Sequence, residues 1–302
     1  MAQRRTFHLF DVSVRRRIEL SPSMLRFVFT GDSLAQARSF GPDQRIKIFF
    51  PNDAGELSVP RGEDWYARYR DQHPAQRSPM RTYTIRALRA ESAEMEVDFA
   101  AHGDAGPASR WAMSARPGDR LVLMAPHADQ AEAGGVEWQP PEDVSEVLLI
   151  ADETALPAVA GILESLAALA RPPKVRAFIE VPLRADAVPL HGPRDMQIHW
   201  LPRAEHRDAT PADYGARLVA AIRAAQLTPT RTQTEETALA EVDIDRDILW
   251  EQAEAAASDF YAWIAGEAGA VMAIRRHLVA ERGFAKSAIS FMGYWRKGRV
   301  LD

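Results

Sequence analysis

The stretch Arg81-Thr82-Tyr83-Thr84-Ile85-Arg86 places a cation, a flat aromatic ring and two hydroxyls side by side. On an extended strand Arg81, Tyr83 and Ile85 share one face, while Thr82, Thr84 and Arg86 share the other. These chemistries suit a flavin nucleotide, which needs a cation for its pyrophosphate, an aromatic face for its ring and a donor near its N5. An exposed strand with a cross-strand cation–aromatic pair would carry the same residues, so this stretch alone decides nothing.

A second stretch, Asp98-Phe99-Ala100-Ala101-His102-Gly103-Asp104-Ala105-Gly106-Pro107-Ala108-Ser109-Arg110-Trp111-Ala112, reads as a strand, a glycine loop and a helix start. Gly103 and Gly106 permit close backbone approach, and unpaired N–H groups at a helix N-terminus suit a pyrophosphate. Ser109 adds a hydroxyl donor. A tight turn with an ordinary N-cap is the plainer reading, with His102 as a hydrogen-bonder that fixes the loop.

The elements that must position these residues follow two rhythms. Residues 26–30, 45–50, 82–86, 94–99 and 120–124 are short segments rich in β-branched and aromatic residues, several of them alternating. With Gly, Pro and Asp turns between them they predict a small antiparallel β-barrel, carrying one short helix at 107–113 that starts on Pro107. The stretch 128–143 is loop-like and marks the boundary between a domain over 1–130 and one over 144–302. Beyond it the pattern becomes strand–helix alternation. Strands are expected at 147–151, 174–180, 197–201, 260–265 and 287–292, and helices at 156–170, 212–225 and 267–282. That is a doubly wound parallel-sheet α/β domain. The stretch 227–258 reads as an insertion with a helix at 247–257.

Composition narrows the chemistry. The 302 residues, 46% of them hydrophobic and 26% charged, suffice for two ordinary domains. Cysteine is absent, which excludes disulfides, thiol catalysis and iron–sulfur clusters held by this chain. Redox work then falls to an organic cofactor or to a metal held through N and O ligands. No permanent metal site is expected, because the eight histidines show no convincing ligand spacing. A net charge of -5 argues against nucleic acid. No segment has the length and apolarity of a signal-peptide core or a membrane span, so a cytoplasmic protein without membrane insertion is expected.

Arg81 to Arg86 followed by His102 to Ala112 resembles the FAD-binding half of the siderophore-interacting protein family, ferric-siderophore reductases of the ferredoxin–NADP reductase-like superfamily. Ala151-Asp152-Glu153-Thr154-Ala155-Leu156-Pro157-Ala158, Trp263-Ile264-Ala265-Gly266-Glu267 and Gly293-Tyr294-Trp295-Arg296-Lys297-Gly298 resemble the motifs of its nicotinamide half. The resemblance implies that Arg81, Thr82, Tyr83 and Thr84 hold FAD, with Asp98, Phe99, His102, Gly106, Pro107, Ala108, Ser109 and Trp111 around it. It implies that Asp152, Glu153, Thr154 and Ala155, with Gly266 and Glu267, line a site for NADH or NADPH. The acidic pair Asp152 and Glu153 would repel phosphate, so it orients backbone or touches ribose hydroxyls, while Thr154 could simply cap the next helix. Glu180 suits ribose hydroxyls and Arg184 a 2′-phosphate, which leaves the coenzyme open.

For the substrate, a ferric siderophore, the resemblance points to Lys47 and Arg296, with Arg45, Lys297 and Arg299 as weaker candidates. A solvated strand lysine and a surface ion pair are the plain alternatives. Where the family tends to carry a basic residue after the turn at 116–119, this chain has His127, which would make binding pH-sensitive if it titrates near neutrality. The implied reaction passes electrons from NAD(P)H through flavin to Fe(III) and releases Fe(II), which hard oxygen chelators hold less tightly. Tyr83 and Thr84 would tune the flavin, with no acid–base catalyst required. The rival readings are a general NAD(P)H–flavin or quinone reductase, a ferric-siderophore binder without turnover, and an electron carrier fed by ferredoxin in place of nicotinamide.

Overall fold

The computed structural model describes residues 6–101, 106–227, 242–244, 246–254 and 259–299. The chain divides into two compact units, the first ending at Val136 and the second beginning at Glu137. Among the described residues no helix is long and apolar enough to cross a membrane.

The first unit contains β1 (Phe7–Ser21), β2 (Met24–Thr30), β3 (Arg45–Phe49), α1 (Trp65–Asp71), β4 (Met80–Thr84), β5 (Ala87–Arg89), β6 (Glu94–Ala100), α2 (Pro107–Ser114) and β7 (Arg120–Pro126). Its strands form one antiparallel sheet in the order β4-β3-β7-β1-β2-β6-β5. The two edge strands, β4 and β5, are joined only by Ile85 and Arg86, so the sheet curls until its ends approach. Arg86 N donates to Glu96 O at 2.9 Å, and Tyr83 on β4 packs against Phe99 on β6 with ring centroids 4.2 Å apart. Alternation fills the interior with Phe10, Val12, Phe27, Phe29, Ile46, Ile48, Val97, Phe99 and Leu123.

Two elements here lie outside the sequence expectation. β1 shows little alternation across Arg15-Arg16-Arg17, yet it runs the full span by a register shift between Val14 and Arg16. That bulge lets one strand pair β7 with its first half and β2 with its second. Helix α1 places Trp65 and Tyr69 one turn apart against Phe49 and Val122, covering the outer side of the sheet, and the Tyr69 hydroxyl donates to Ser78 O at 2.7 Å.

The second unit contains β8 (Glu146–Ala151), α3 (Leu156–Ala167), β9 (Lys174–Leu183), β10 (Gln197–Ala204), α4 (Ala216–Ala224), β11 (Trp250–Glu251), β12 (Phe260–Glu267), α5 (Ala268–Arg275) and β13 (Ile289–Trp295). The sheet order is β10-β9-β8-β12-β13-β11, parallel apart from β11. Leu218 and Ile222 of α4 and Val271 and Ile274 of α5 share one core with Leu148 and Ile150 of β8. Helix α3 packs against β8 from the other face, as a doubly wound sheet requires.

Three expected helices change. The helix expected at 247–257 is replaced, over its described residues, by β11 on the edge of β13. The Trp250 ring stacks on Tyr294 at 5.8 Å, and Glu251 pairs with Arg275 at 2.8 Å and with Lys286 at 3.0 Å, contacts that outweigh local helix propensity. Helix α4 starts at Ala216, not Ala212, because the buried Glu180 carboxylate accepts from Gly215 N (2.8 Å) and Leu218 N (3.1 Å). The α-helix from Glu267 ends at Arg275 and continues as a π-helical stretch, Arg276–Glu281.

Candidate functional site

In the first unit the site is built on the β3–β4 ladder. Antiparallel register sets Arg45 opposite Thr84, Ile46 opposite Tyr83, Lys47 opposite Thr82 and Ile48 opposite Arg81. Ile46 belongs to the barrel interior, so Tyr83 turns inward with it. Its ring lies 4.2 Å from Phe99 and 6.2 Å from Phe50, and burial pushes its phenol well above the ordinary value. Tyr83 therefore stays protonated and supplies a ring and a hydroxyl, not a base. On the opposite face Lys47 Nζ donates to Thr82 Oγ1 at 2.7 Å. Burial, with Arg45 and Arg81 nearby, holds the Lys47 ammonium below its usual pKa. Cations gathered in this way are costly for the free protein and favourable once an anion joins them. Arg81 Nη1 donates to Met80 O at 2.8 Å, and Thr84 is buried.

The helix start stands beside that strand through one aromatic cluster. Trp111 of α2 lies 5.9 Å from Phe99 and 5.6 Å from Phe50, so Tyr83, Phe99 and Trp111 tie β4, β6 and α2 together. Phe99 is fully buried and acts through this packing. At the N-terminus of α2, Gly106 is the N-cap with φ 150°, Pro107 opens the helix, and among the described residues no side chain caps it. A Cβ at Gly106 would meet no atom of the described residues within 4 Å. Ala108 is buried and Ser109 half-buried on the first turn. Asp98 faces away from the barrel interior, held by Arg26 in a bidentate pair of 2.7 and 2.9 Å. His102, Gly103, Asp104 and Ala105 lie outside the described residues. The fit to FAD thus rests on the strand cations, an inward tyrosine at the sheet edge and a glycine-led helix start with no cap among the described residues.

In the second unit the predicted residues collect at the carboxyl ends of β8, β12 and β13, where the strand order reverses. Asp152 is buried and saturated. Its Oδ1 accepts from Thr154 N (2.9 Å) and Thr154 Oγ1 (2.5 Å), and its Oδ2 accepts from Glu267 N (2.8 Å) and Trp295 Nε1 (2.8 Å). Gly266 has φ 152°, and a Cβ there would lie 2.7 Å from Asp152 Oδ2, so glycine is required for this knot. Thr154 is engaged by Asp152, and the N-cap of α3 is the buried Ala155. Glu267 caps α5 by accepting from Ala270 N (3.0 Å), and it also accepts from Arg296 Nη1 (2.9 Å) and Lys297 N (3.2 Å). Arg296 is thus held by Glu267.

Glu153 lies fully buried against Arg203, whose two terminal nitrogens reach it at 2.6 and 2.8 Å; the same guanidinium donates to Glu180 at 3.1 Å. Burial pushes the Glu153 carboxyl up to about 7, against the pull of Arg203. Glu180 is corrected by this arrangement. With no solvent exposure and its oxygens accepting from Arg203, Gly215 N and Leu218 N, it serves the fold and not a ribose. Arg184 remains at the surface, paired with Glu205. Sequence reasoning missed Arg203 and Tyr214. The Tyr214 ring lies 4.1 Å from the Arg203 guanidinium and meets Trp295 edge-on at 4.9 Å. Arg203 lies on β10 and Tyr214 just before α4, and their partners are distant in sequence and meet them only through the fold.

Residues 13–130 match the family model described as the siderophore-interacting FAD-binding domain, and residues 144–298 match that of siderophore-interacting protein. The chain belongs to the siderophore-interacting protein family. It is similar to a siderophore utilization protein from T. fusca at 30% identity and a TM-score of 0.74, covering 99% of this chain and 97% of that one. It is also similar to the ferric vibriobactin reductase ViuB of Vibrio cholerae, at 28% identity over 94% of this chain and 88% of that protein. The NADPH-dependent ferric-chelate reductase of Escherichia coli is 28% identical over 94% of this chain and 92% of its own length. Family-level flavin binding and kinship to ferric reductases follow from these matches.

Proposed function

We propose that this protein is an FAD-dependent reductase that passes electrons from a reduced nicotinamide to a ferric siderophore and releases Fe(II). The observation that carries the reading is the β3–β4 register, which sets Arg81 and Tyr83 on one face of the ladder and Arg45 and Lys47 on the other, near enough for the arginines to lower the Lys47 pKa, within a chain of this family. Arg81 and the open backbone at Gly106 to Ser109 would hold the FAD pyrophosphate, with Tyr83 and Thr84 at its ring. Bound FAD would supply the exchange between a two-electron donor and a one-electron acceptor that Fe(III) requires. Tyr83 keeps its proton and fixes orientation through its packing on Phe99. Lys47 offers positive charge to an anionic chelate, helped by Thr82, which positions its ammonium. The carboxyl edge of the second sheet is the place for the nicotinamide nucleotide, shaped by the Asp152 knot rather than by free carboxylates. A siderophore is favoured over a quinone by the relatives' named substrates and by the cation cluster, which an uncharged acceptor would not need.

The test is anaerobic. Protein, FAD, NADH or NADPH and a ferric siderophore are mixed with a chromogenic Fe(II) chelator. Colour that requires all components supports the reading, and Lys47→Ala should raise KM for the ferric chelate about tenfold or more, the scale of one charge-assisted contact. Flavin reduction without Fe(II) release would point instead to a general flavin reductase.

A further inference from the structure

A pair of stacked imidazoles stands at the end of the β1–β7 ladder, one of them His127, where the family tends to carry a basic residue. Antiparallel register sets His8 opposite Ala125, and His127 N donates to Thr6 O at 3.2 Å, so the two histidines become diagonal neighbours on one face. Their rings lie 4.3 Å apart at 25°, with Phe10 flanking His127 at 6.4 Å. His127 Nε2 is 3.2 Å from Gln36 Oε1, and Nδ1 is 2.7 Å from Asp129 Oδ1. Asp129 N also donates to Nδ1, at 3.3 Å.

A neutral imidazole has one donor nitrogen and one acceptor. Nδ1 has the Asp129 carboxylate and the Asp129 N–H within reach, and Nε2 faces the Gln36 amide, which can present either its oxygen or its NH2 to the ring. With the ring hydrogen on Nε2, the Nδ1 lone pair points towards a carboxylate oxygen, and a metal ion placed between them would be ligated by both. Turning the His8 ring out of its stack would bring a second imidazole to the same ion. One ligand atom from each of His8, His127 and Asp129 lies within 4.8 Å of the others, and two imidazoles with a carboxylate form a donor set that suits divalent first-row ions.

We propose that His8, His127 and Asp129 form a binding site for a divalent first-row transition-metal ion, with Gln36 orienting His127 through its Nε2. Fe(II), the ion that the proposed reaction would release, is within the chemical class, but the site stands on its own donors and does not depend on that reaction. It revises the expectation that no metal is held: the histidine spacing in sequence is uninformative because strand pairing, not a local motif, brings the ligands together.

The test uses the full-length protein stripped with a chelator. Co(II) is titrated while its visible absorption is followed, and Zn(II) binding is measured by calorimetry. One equivalent of each is expected. His8→Ala and His127→Ala should weaken binding at least tenfold, and Asp129→Asn should also weaken it. His191→Ala, a change at an exposed histidine elsewhere, should leave it unchanged. Circular dichroism of each variant establishes that it is folded; because Asp129 is exposed, its variant keeps the test valid if a histidine variant is not. Absence of saturable binding, or binding that survives intact in folded His127→Ala or Asp129→Asn, overturns the proposal.

Discussion

In the first unit Arg26 meets Asp98 and Glu96 on the outside of the sheet, with 21% of its side chain exposed. In the second unit Arg203 meets Glu153 and Glu180 with 4% of its side chain exposed and both carboxylates fully buried. The same pairing of one arginine with two acids does different work in the two places. The outer ladder, which also includes Arg15 and Arg89 with Glu94 and Glu96, laces strands that alternation has already placed. The buried cluster fixes where α4 begins, through the Glu180 carboxylate. The motif acids Asp152 and Glu153 of the second unit are engaged by Thr154, Trp295 and Arg203, whereas Lys47 and Arg81 of the first unit are held by a threonine hydroxyl and a backbone carbonyl.

Arginine removal gives the largest expected contrast. Arg203→Ala leaves two buried carboxylates without their counterion and should cost about 3–5 kcal/mol, whereas Arg26→Ala should cost less, since the Arg26 side chain is partly solvated and Glu96 keeps Arg89 as a partner. Urea unfolding of the two variants measures both, and equal losses would break the comparison. Gly266→Ala comes next. A side chain at φ 152° strains the backbone and collides with Asp152, with an expected loss of about 1–3 kcal/mol. Nicotinamide affinity should fall with it, while FAD affinity should not.

A subtler effect appears in pH dependence. Glu153 has a folded pKa raised from 4.5 to about 7, so the folded protein binds a proton that the unfolded chain has released. Its contribution is fully present below about pH 4.5 and is lost as pH rises towards about 7. The stability difference between the wild-type protein and Glu153→Gln should therefore shift against the wild type across that window, as measured by melting at each pH. A difference that stays flat would mean Arg203 holds Glu153 ionised throughout.

The same contrast explains what was legible in the sequence. Alternation and turn residues gave the curled sheet, and the apolar run at 147–151 gave the first parallel strand. Tyr83 and Thr84 could be placed on opposite faces from strand period alone. The failures lie where tertiary contacts override a local signal: Trp250 drawn onto Tyr294 as a strand, α4 shortened by a carboxylate from β9, and β1 carried through its arginine run by a bulge. On the β3–β4 ladder, type and spacing suggest Arg81, Tyr83 and Thr84, whereas Lys47 is named only through the family resemblance. Arg203 and the His8–His127 pair could not be read that way, since their partners are distant in sequence and meet only through the fold.

The most direct test of the central claim, that the first unit holds a flavin nucleotide with its strand cations, is an equilibrium titration of the full-length protein with FAD followed by flavin fluorescence. Saturable one-to-one binding is expected, weakened about tenfold or more in Arg81→Ala and unchanged in Arg184→Ala. Failure to bind FAD, or equal affinity in the wild-type protein and Arg81→Ala, would contradict it.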